Sequence, residues 1–278
     1  MGGVVMGSSM TEVVEGQRWL AVTVNTSCNL SCPMCYMGNP KGRNQTMSSE
    51  MVERLIRKAK RENWNGVAIV GTEPLLDEKS VHVVNTFARS VRTHVMTNGL
   101  SLERFGDKIH LVKRLDVSLD GGPRTYSRGG LFPSIKKGLS KWRHGNPNGE
   151  VCVVNTLFRE NIGNVGDMLE GSSLLGVDQT FFSAYVRTLG GGEGVTPLRT
   201  KEIVSALLPF VKGKWKLMID PYHALFEWCG WRKLKRDVSV LPRRNRLIID
   251  FDPGERIRRV DVNGVERHPF IALHPGLK

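Results

Sequence analysis

The chain has 278 residues, 40% hydrophobic and 24% charged, enough apolar content to bury a core and too ordinary a balance for global disorder. No apolar run approaches the roughly 18 residues of a membrane span, and residues 1–17 lack the basic start of a secretory signal. A cytoplasmic protein with a flexible N-terminal leader is expected. The net charge of +13 fits either a solvated basic face or a surface for an anionic partner such as RNA, and no RNA-binding signature decides between them.

In chain order, Leu20–Val24 reads as a first strand. Val52, Leu55, Ile56 and Ala59 then mark one stripe of an amphipathic helix over about 48–63. Gly66–Val70 is a short buried strand, Asp77–Ser90 a helix, and His94–Thr97 a strand closed by Asn98-Gly99. Leu111–Leu119 is strand-like and ends at Asp120-Gly121-Gly122. Helix Ser134–Arg143, strand Val151–Phe158, helix Val165–Leu175, strand Gln179–Val186, helix Thr200–Val211 and strand Lys214–Ile219 complete the series.

Six β-then-α units imply right-handed crossovers and a mainly parallel sheet. They are fewer than the eight of a closed barrel, so an α/β fold with a partial (β/α)6 TIM-like barrel is expected over residues 18–220. Beyond Pro221 the pattern changes. Residues 222–231 are aromatic-rich, and Leu247–Phe251 and Ile257–Val262 look like paired strands with turns at Pro253-Gly254 and Asn263-Gly264. Residues 221–278 are read as a small appendage capping the barrel.

Cys28, Cys32 and Cys35 follow the first strand directly, at the strand end where α/β folds place their active sites. One loop can wrap these three thiolates around a single metal centre. An iron–sulfur cluster usually takes four cysteines, so three leave one iron open for chemistry. A zinc site would want a fourth ligand nearby, and none lies between Cys35 and His82. A thioredoxin-like pair at Cys32 and Cys35 would leave Cys28 without a role.

The CxxxCxxC spacing after a first strand resembles the radical S-adenosylmethionine (SAM) superfamily, and the resemblance extends from about Val22 to Ile219. Gly71-Thr72-Glu73-Pro74 resembles that family's GGEP motif, with Thr in place of its second Gly, and the resemblance implies that this strand-end backbone, with Glu73 nearby, holds the SAM amino group. Thr97-Asn98-Gly99 matches the common TNG, and Ser118-Leu119-Asp120-Gly121 matches the SLDG stretch. Asn155, on the fifth strand, sits where many relatives place a further polar SAM contact. Met34 stands where the family usually has an aromatic residue beside the adenine, with Tyr36 following the cluster.

The resemblance implies one [4Fe–4S] cluster on Cys28, Cys32 and Cys35. It also implies SAM held by the ends of the second to fifth strands, and a 5′-deoxyadenosyl radical that abstracts a substrate hydrogen. Arg128, Arg159 and Arg187 are candidates for the SAM carboxylate, each weighed against a plain surface charge.

The motifs point to the SPASM and molybdenum-cofactor branch, whose auxiliary clusters need several C-terminal cysteines. Only Cys152, inside a Val-rich strand, and Cys229 remain, so no second four-thiolate cluster is expected. Gly264–Pro269 resembles that region without its ligands. Cys229, Tyr185 and Glu227 are the candidate catalytic residues, and Tyr222, His223 and Trp228 could line the substrate side. Gly190-Gly191-Gly192 reads as a loop or lid.

The expected substrate is a small-molecule biosynthetic intermediate such as a sugar or nucleoside. The alternatives are modification of a peptide or RNA and, in another class, a noncatalytic metal-stabilised binding protein. An electron donor such as flavodoxin or ferredoxin is the expected protein partner.

Overall fold

A computed structural model describes residues 19–35, 37, 44–125, 132–185, 195–211, 217–219, 257–260 and 266–267. Their strands are β1 (Trp19–Val22), β2 (Gly66–Ile69), β3 (Thr93–Thr97), β4 (Arg114–Ser118), β5 (Glu150–Leu157), β6 (Gln179–Ala184), β7 (Leu217–Ile219), β8 (Ile257–Val260) and β9 (Glu266–Arg267). The helices are α1 (Ser49–Arg61), α2 (Glu78–Ser90), α3 (Leu102–Phe105), α4 (Phe132–Gly145), α5 (Val165–Leu174) and α6 (Thr200–Val211).

The strands form one sheet in the order β7-β6-β5-β4-β3-β2-β1-β8-β9. Every pair from β7 through β8 is parallel, and only β8–β9 is antiparallel. The order has two ends, so among the described residues the sheet is an open, partial barrel, as the count of six βα units implies.

Helix starts follow the sequence signals. The Ser48 side chain accepts the Met51 N–H at the start of α1, and Asp77 accepts the Ser80 N–H at 2.8 Å at the start of α2. Each cap contributes about 1 kcal/mol. The predicted stripe of α1 is the buried one: Val52, Leu55, Ile56 and Ala59.

These side chains pack with Leu20, Val22, Val67, Ile69, Val95, Leu115, Val117, Val151 and Val153 into the main core between helices and sheet. Because side chains alternate along a strand, Arg114, Asp116, Ser118, Cys152 and Val154 take the opposite, barrel-interior face.

Two expectations are corrected. The strand read over Leu111–Leu119 starts later, at Arg114. It is preceded by α3 and a 3-10 turn, Gly106–Ile109, neither of which was expected. Ile109 and Val112 are fully buried as plugs beneath the sheet, and the ladder begins only where the Lys113 N–H reaches the Thr93 carbonyl at 2.9 Å. At the other end, Ile257–Val260 is a strand, but it lies parallel beside β1, with Trp19 opposite Ile257. Its antiparallel partner is Glu266–Arg267. Leu247–Phe251 lies outside the described residues.

Candidate functional site at the strand ends

The loop that carries the three cysteines leaves β1 through Asn25, whose backbone bridges Thr46. Cys28, Cys32 and Cys35 are in no disulfide and of intermediate exposure, and the Cys35 N–H closes a turn onto the Cys32 carbonyl at 3.0 Å. Burial pushes the Cys28 thiol above its ordinary pKa; the Leu30 N–H, which donates to its sulfur at 3.4 Å, opposes this, while the Glu73 and Cys35 charges add to it.

Among the described residues no group of three His, Cys, Asp or Glu side chains is drawn together as a metal site. The thiols therefore share a loop without converging, and binding would have to close it, as is common where a metal organises its own site. The donor set fits an iron–sulfur cluster: three cysteines outside any disulfide on one loop, half-buried at a parallel strand end.

The neighbouring strand ends surround this loop. After β2, Gly71 has φ of 114°, and a Cβ there would lie 2.7 Å from the Thr23 hydroxyl. Only glycine fits, and it leaves bare backbone at the strand end. Thr72 donates its hydroxyl hydrogen bond to Asn25, reaching the carbonyl oxygen at 2.9 Å. Glu73 and Pro74 are buried behind it. After β3, Thr97 and Asn98 are buried, and the Asn98 side chain donates to Asn29 Oδ1 at 2.7 Å within the cysteine loop.

After β4, Ser118 is half-buried on the interior face. Asp120 is buried, with φ of 57°, and accepts the Thr156 N–H at 2.6 Å, tying the ends of β4 and β5.

Asn155 behaves differently. It is fully buried, and neither its amide nitrogen nor its amide oxygen has a protein partner. The alternation along β5 puts it on the face of Val151 and Val153, away from Ser118. Met34 is buried against Phe158, Tyr185 and Val195, with Cys32 packed beside them. The cysteine loop thus reaches the ends of β5 and β6, and the candidate Tyr185 shares one packed group with Met34 and Cys32.

Arg159 pairs with Glu202 at 3.1 Å. Arg128, Arg187, Tyr36, Gly190–Gly192, Tyr222, His223, Glu227, Trp228 and Cys229 lie outside the described residues. Cys152 is wholly buried beside Val154 and Phe181, as its Val-rich strand implies, and burial pushes its thiol far up.

Several residues escaped the sequence reading. Asn25, fully buried, donates to the Glu73 carbonyl at 2.7 Å and to Ser80 Oγ at 2.9 Å. Asp167 on α5 accepts the Thr125 N–H at 2.9 Å and the Arg124 guanidinium at 3.1 Å, fixing the loop after β4. The SLDGG stretch announced that loop, but nothing local announced its anchor.

On the interior face, Arg114 Nε lies 2.7 Å from Asp116 Oδ1, both side chains largely buried. Arg114 Nη2, His94 Nε2 and Gln179 Oε1 have no protein partner.

A partial parallel barrel with three cysteines on the loop after its first strand and glycine-bared backbone at its strand C-termini puts the candidate site at the end of the sheet where α/β enzymes carry theirs. A family profile described as the Radical SAM superfamily matches residues 22–170, more than half of the chain, and the chain belongs to that superfamily. It is therefore an enzyme of the class that uses a [4Fe–4S] cluster and SAM.

Among curated relatives it is similar to the probable GTP 3′,8-cyclase of Pyrococcus abyssi, 28% identical over 108 residues, 36% of this chain and 34% of that one. It is also similar to the molybdenum cofactor biosynthesis protein moc-5 of Caenorhabditis elegans, 24% identical over 170 residues, 52% of this chain and 28% of that one. The matched region thus spans about a third of these relatives' length.

Among solved structures, Streptococcus suis SuiB bound to S-adenosylmethionine superposes with a TM-score of 0.65 at 13% identity, over 94% of this chain and 62% of that one. Native anSMEcpe with bound AdoMet and Cp18Cys peptide gives 0.55 at 17% identity, over 73% and 62%. These likenesses establish the fold. No helix among the described residues is long and apolar enough to cross a membrane.

Proposed function

We propose that this radical SAM enzyme acts on a small, polar, nucleotide-like biosynthetic intermediate held inside the barrel. When bound, the cluster and SAM supply a 5′-deoxyadenosyl radical that takes a hydrogen atom from the substrate. In this reading Cys28, Cys32 and Cys35 hold the cluster. The bared backbone at Gly71–Pro74 accepts the SAM ammonium, and Ser118, on the interior face, contacts SAM. Thr97, Asn98 and Asp120 shape the surrounding strand ends, and the half-buried cysteine loop shields the reacting atoms from water.

The observation that carries the substrate class is the likeness, over about a third of the chain, to relatives whose printed name is GTP 3′,8-cyclase. Arg114, His94 and Gln179, each with an unpaired buried polar atom, stand at or next to the N-terminal ends of β4, β3 and β6, opposite the cysteine loop, and belong to the floor of the barrel. Tyr185, with Cys229 and Glu227 from outside the described residues, is assigned to the substrate side, and the part of residues 221–278 other than β8 and β9 to a cap. Free thiols suit a reducing cytoplasm, with a flavodoxin or ferredoxin as electron donor.

The test incubates reconstituted, reduced enzyme and SAM with deuterated ribonucleotides, nucleosides and nucleotide sugars, and with a peptide library. Deuterium in 5′-deoxyadenosine from one of the small molecules is expected. Transfer from peptides alone would refute the small-molecule reading.

A further inference from the structure

The acidic residue of the second-strand motif is spoken for. Glu73 is 1% exposed. One carboxylate oxygen accepts the Thr97 hydroxyl at 2.7 Å and the Leu75 N–H at 2.9 Å, and the other accepts the Asn98 N–H at 2.8 Å. A carboxylate offers about four acceptor positions, so three of them already serve the ends of β2 and β3. A buried carboxylate held in this way is stable because those donors replace water.

Asn98 continues the chain of contacts. Its Oδ1 accepts the Leu100 N–H at 3.0 Å, which settles the orientation of the amide and turns Nδ2 toward the cysteine loop. Nδ2 donates to Asn29 Oδ1 at 2.7 Å and makes a long contact of 3.9 Å to Cys28 Sγ. On the other side, Thr72 and Asn25 tie the end of β1 to the end of β2, and the Asn25 amide grips the Glu73 carbonyl at 2.7 Å. The ends of the first three strands and the cysteine loop are thus joined by side chains into one hydrogen-bonded frame.

We propose that Glu73 is a positioning residue for the cluster loop, holding Asn98 so that the Asn98 amide fixes Asn29 and directs a hydrogen bond at Cys28. This rests on the reading that Cys28, Cys32 and Cys35 carry the cluster. In this arrangement the SAM ammonium is held by backbone near Gly71, and the Glu73 carboxylate faces its protein donors with or without SAM. A hydrogen bond to a ligating sulfur withdraws charge from the cluster and raises its reduction potential. Loss of the Asn98 amide, or of the carboxylate that holds it, lowers that potential even before SAM is added.

The experiment reconstitutes the full chain anaerobically as wild type, Asn98→Ala, Glu73→Gln and the double variant. Iron content, the SAM-free midpoint potential by EPR-monitored titration, and SAM affinity are then measured. Both single variants are expected to shift the SAM-free midpoint negatively. The double variant should shift it no further than the larger single shift, because both act through one contact. SAM affinity should fall by less than about threefold, the effect of well under one hydrogen bond.

A Glu73→Gln variant with the wild-type SAM-free potential and SAM binding weakened tenfold or more would overturn the proposal and make Glu73 a SAM ligand. An unshifted Asn98→Ala potential would overturn it equally. Should Glu73→Gln not fold, Asn98→Ala and Thr97→Val, which removes one donor to the carboxylate, carry the test with the same expected direction. A wild-type chain that takes up no iron fails at the first measurement, sinking the cluster reading and this proposal together.

Discussion

Replacing Asp116 with alanine should destabilise the iron-free protein by about 3–5 kcal/mol, the usual consequence of leaving a buried charge without its partner. Arg114 has a side chain 3% exposed, with Nε 2.7 Å from Asp116 Oδ1. Its other acidic neighbour, Glu150, is 3.6 Å from Nη1 and about half-exposed, too distant and too well solvated to substitute. The guanidinium cannot shed its charge, because its pKa is raised further by Asp116 against the opposing effect of burial.

A loss of this size is a large share of the roughly 5–15 kcal/mol by which domains are stable. Urea unfolding of the reduced apo chain would show it as a lower midpoint at unchanged slope. The double variant Arg114→Met/Asp116→Leu removes both charges and should recover most of the loss. A single-variant loss below about 1 kcal/mol, or a double variant as unstable as the single, would refute the reasoning.

Three further outcomes are expected. Burial, reinforced by the neighbouring Arg114 and Arg92 charges, pushes the His94 pKa down to about 3, and its ring lies 4.1 Å from Trp19. Unfolding lets it take up a proton between pH 6.5 and 3, so its contribution to stability is intact above that window and is lost on acidification, by at most about 1.4 kcal/mol per pH unit. His94→Phe should flatten the stability profile in that window relative to wild type, and identical slopes would contradict this. Asn155→Leu removes a buried amide with no protein partner and should leave the stability of the apo chain unchanged or raise it by about 1 kcal/mol in urea unfolding, and a loss above about 1 kcal/mol would contradict this. Brief anaerobic alkylation of the apo chain should label Cys28, Cys32 and Cys35 while sparing Cys152, as read by peptide mass mapping, because among the described cysteines the loop thiols are partly exposed and Cys152 is buried.

Much of the architecture was legible in sequence because apolar periodicity is a local signal. The stripe on α1 and the alternation of βα units required no tertiary information, and the cysteine spacing announced its own chemistry. What was hidden depended on register between distant segments. Asn25 lies 48 residues from Glu73, and the Asn98 amide lies 69 from Asn29, so no local pattern joins them. Met34 packs with Phe158 and Tyr185, a contact made only once the loop crosses to the ends of β5 and β6 and so invisible in local sequence. The parallel addition of β8 to β1 joins segments at opposite ends of the chain, where a hairpin turn nearby made local pairing the natural expectation.

The most direct test of the central claim is anaerobic iron–sulfur reconstitution and reduction with dithionite in the presence of SAM, comparing wild type with Cys32→Ala. The account predicts about four iron per wild-type chain and release of 5′-deoxyadenosine, both lost in the variant. A colourless protein that binds one zinc and leaves SAM intact would contradict it and return the three cysteines to a structural role.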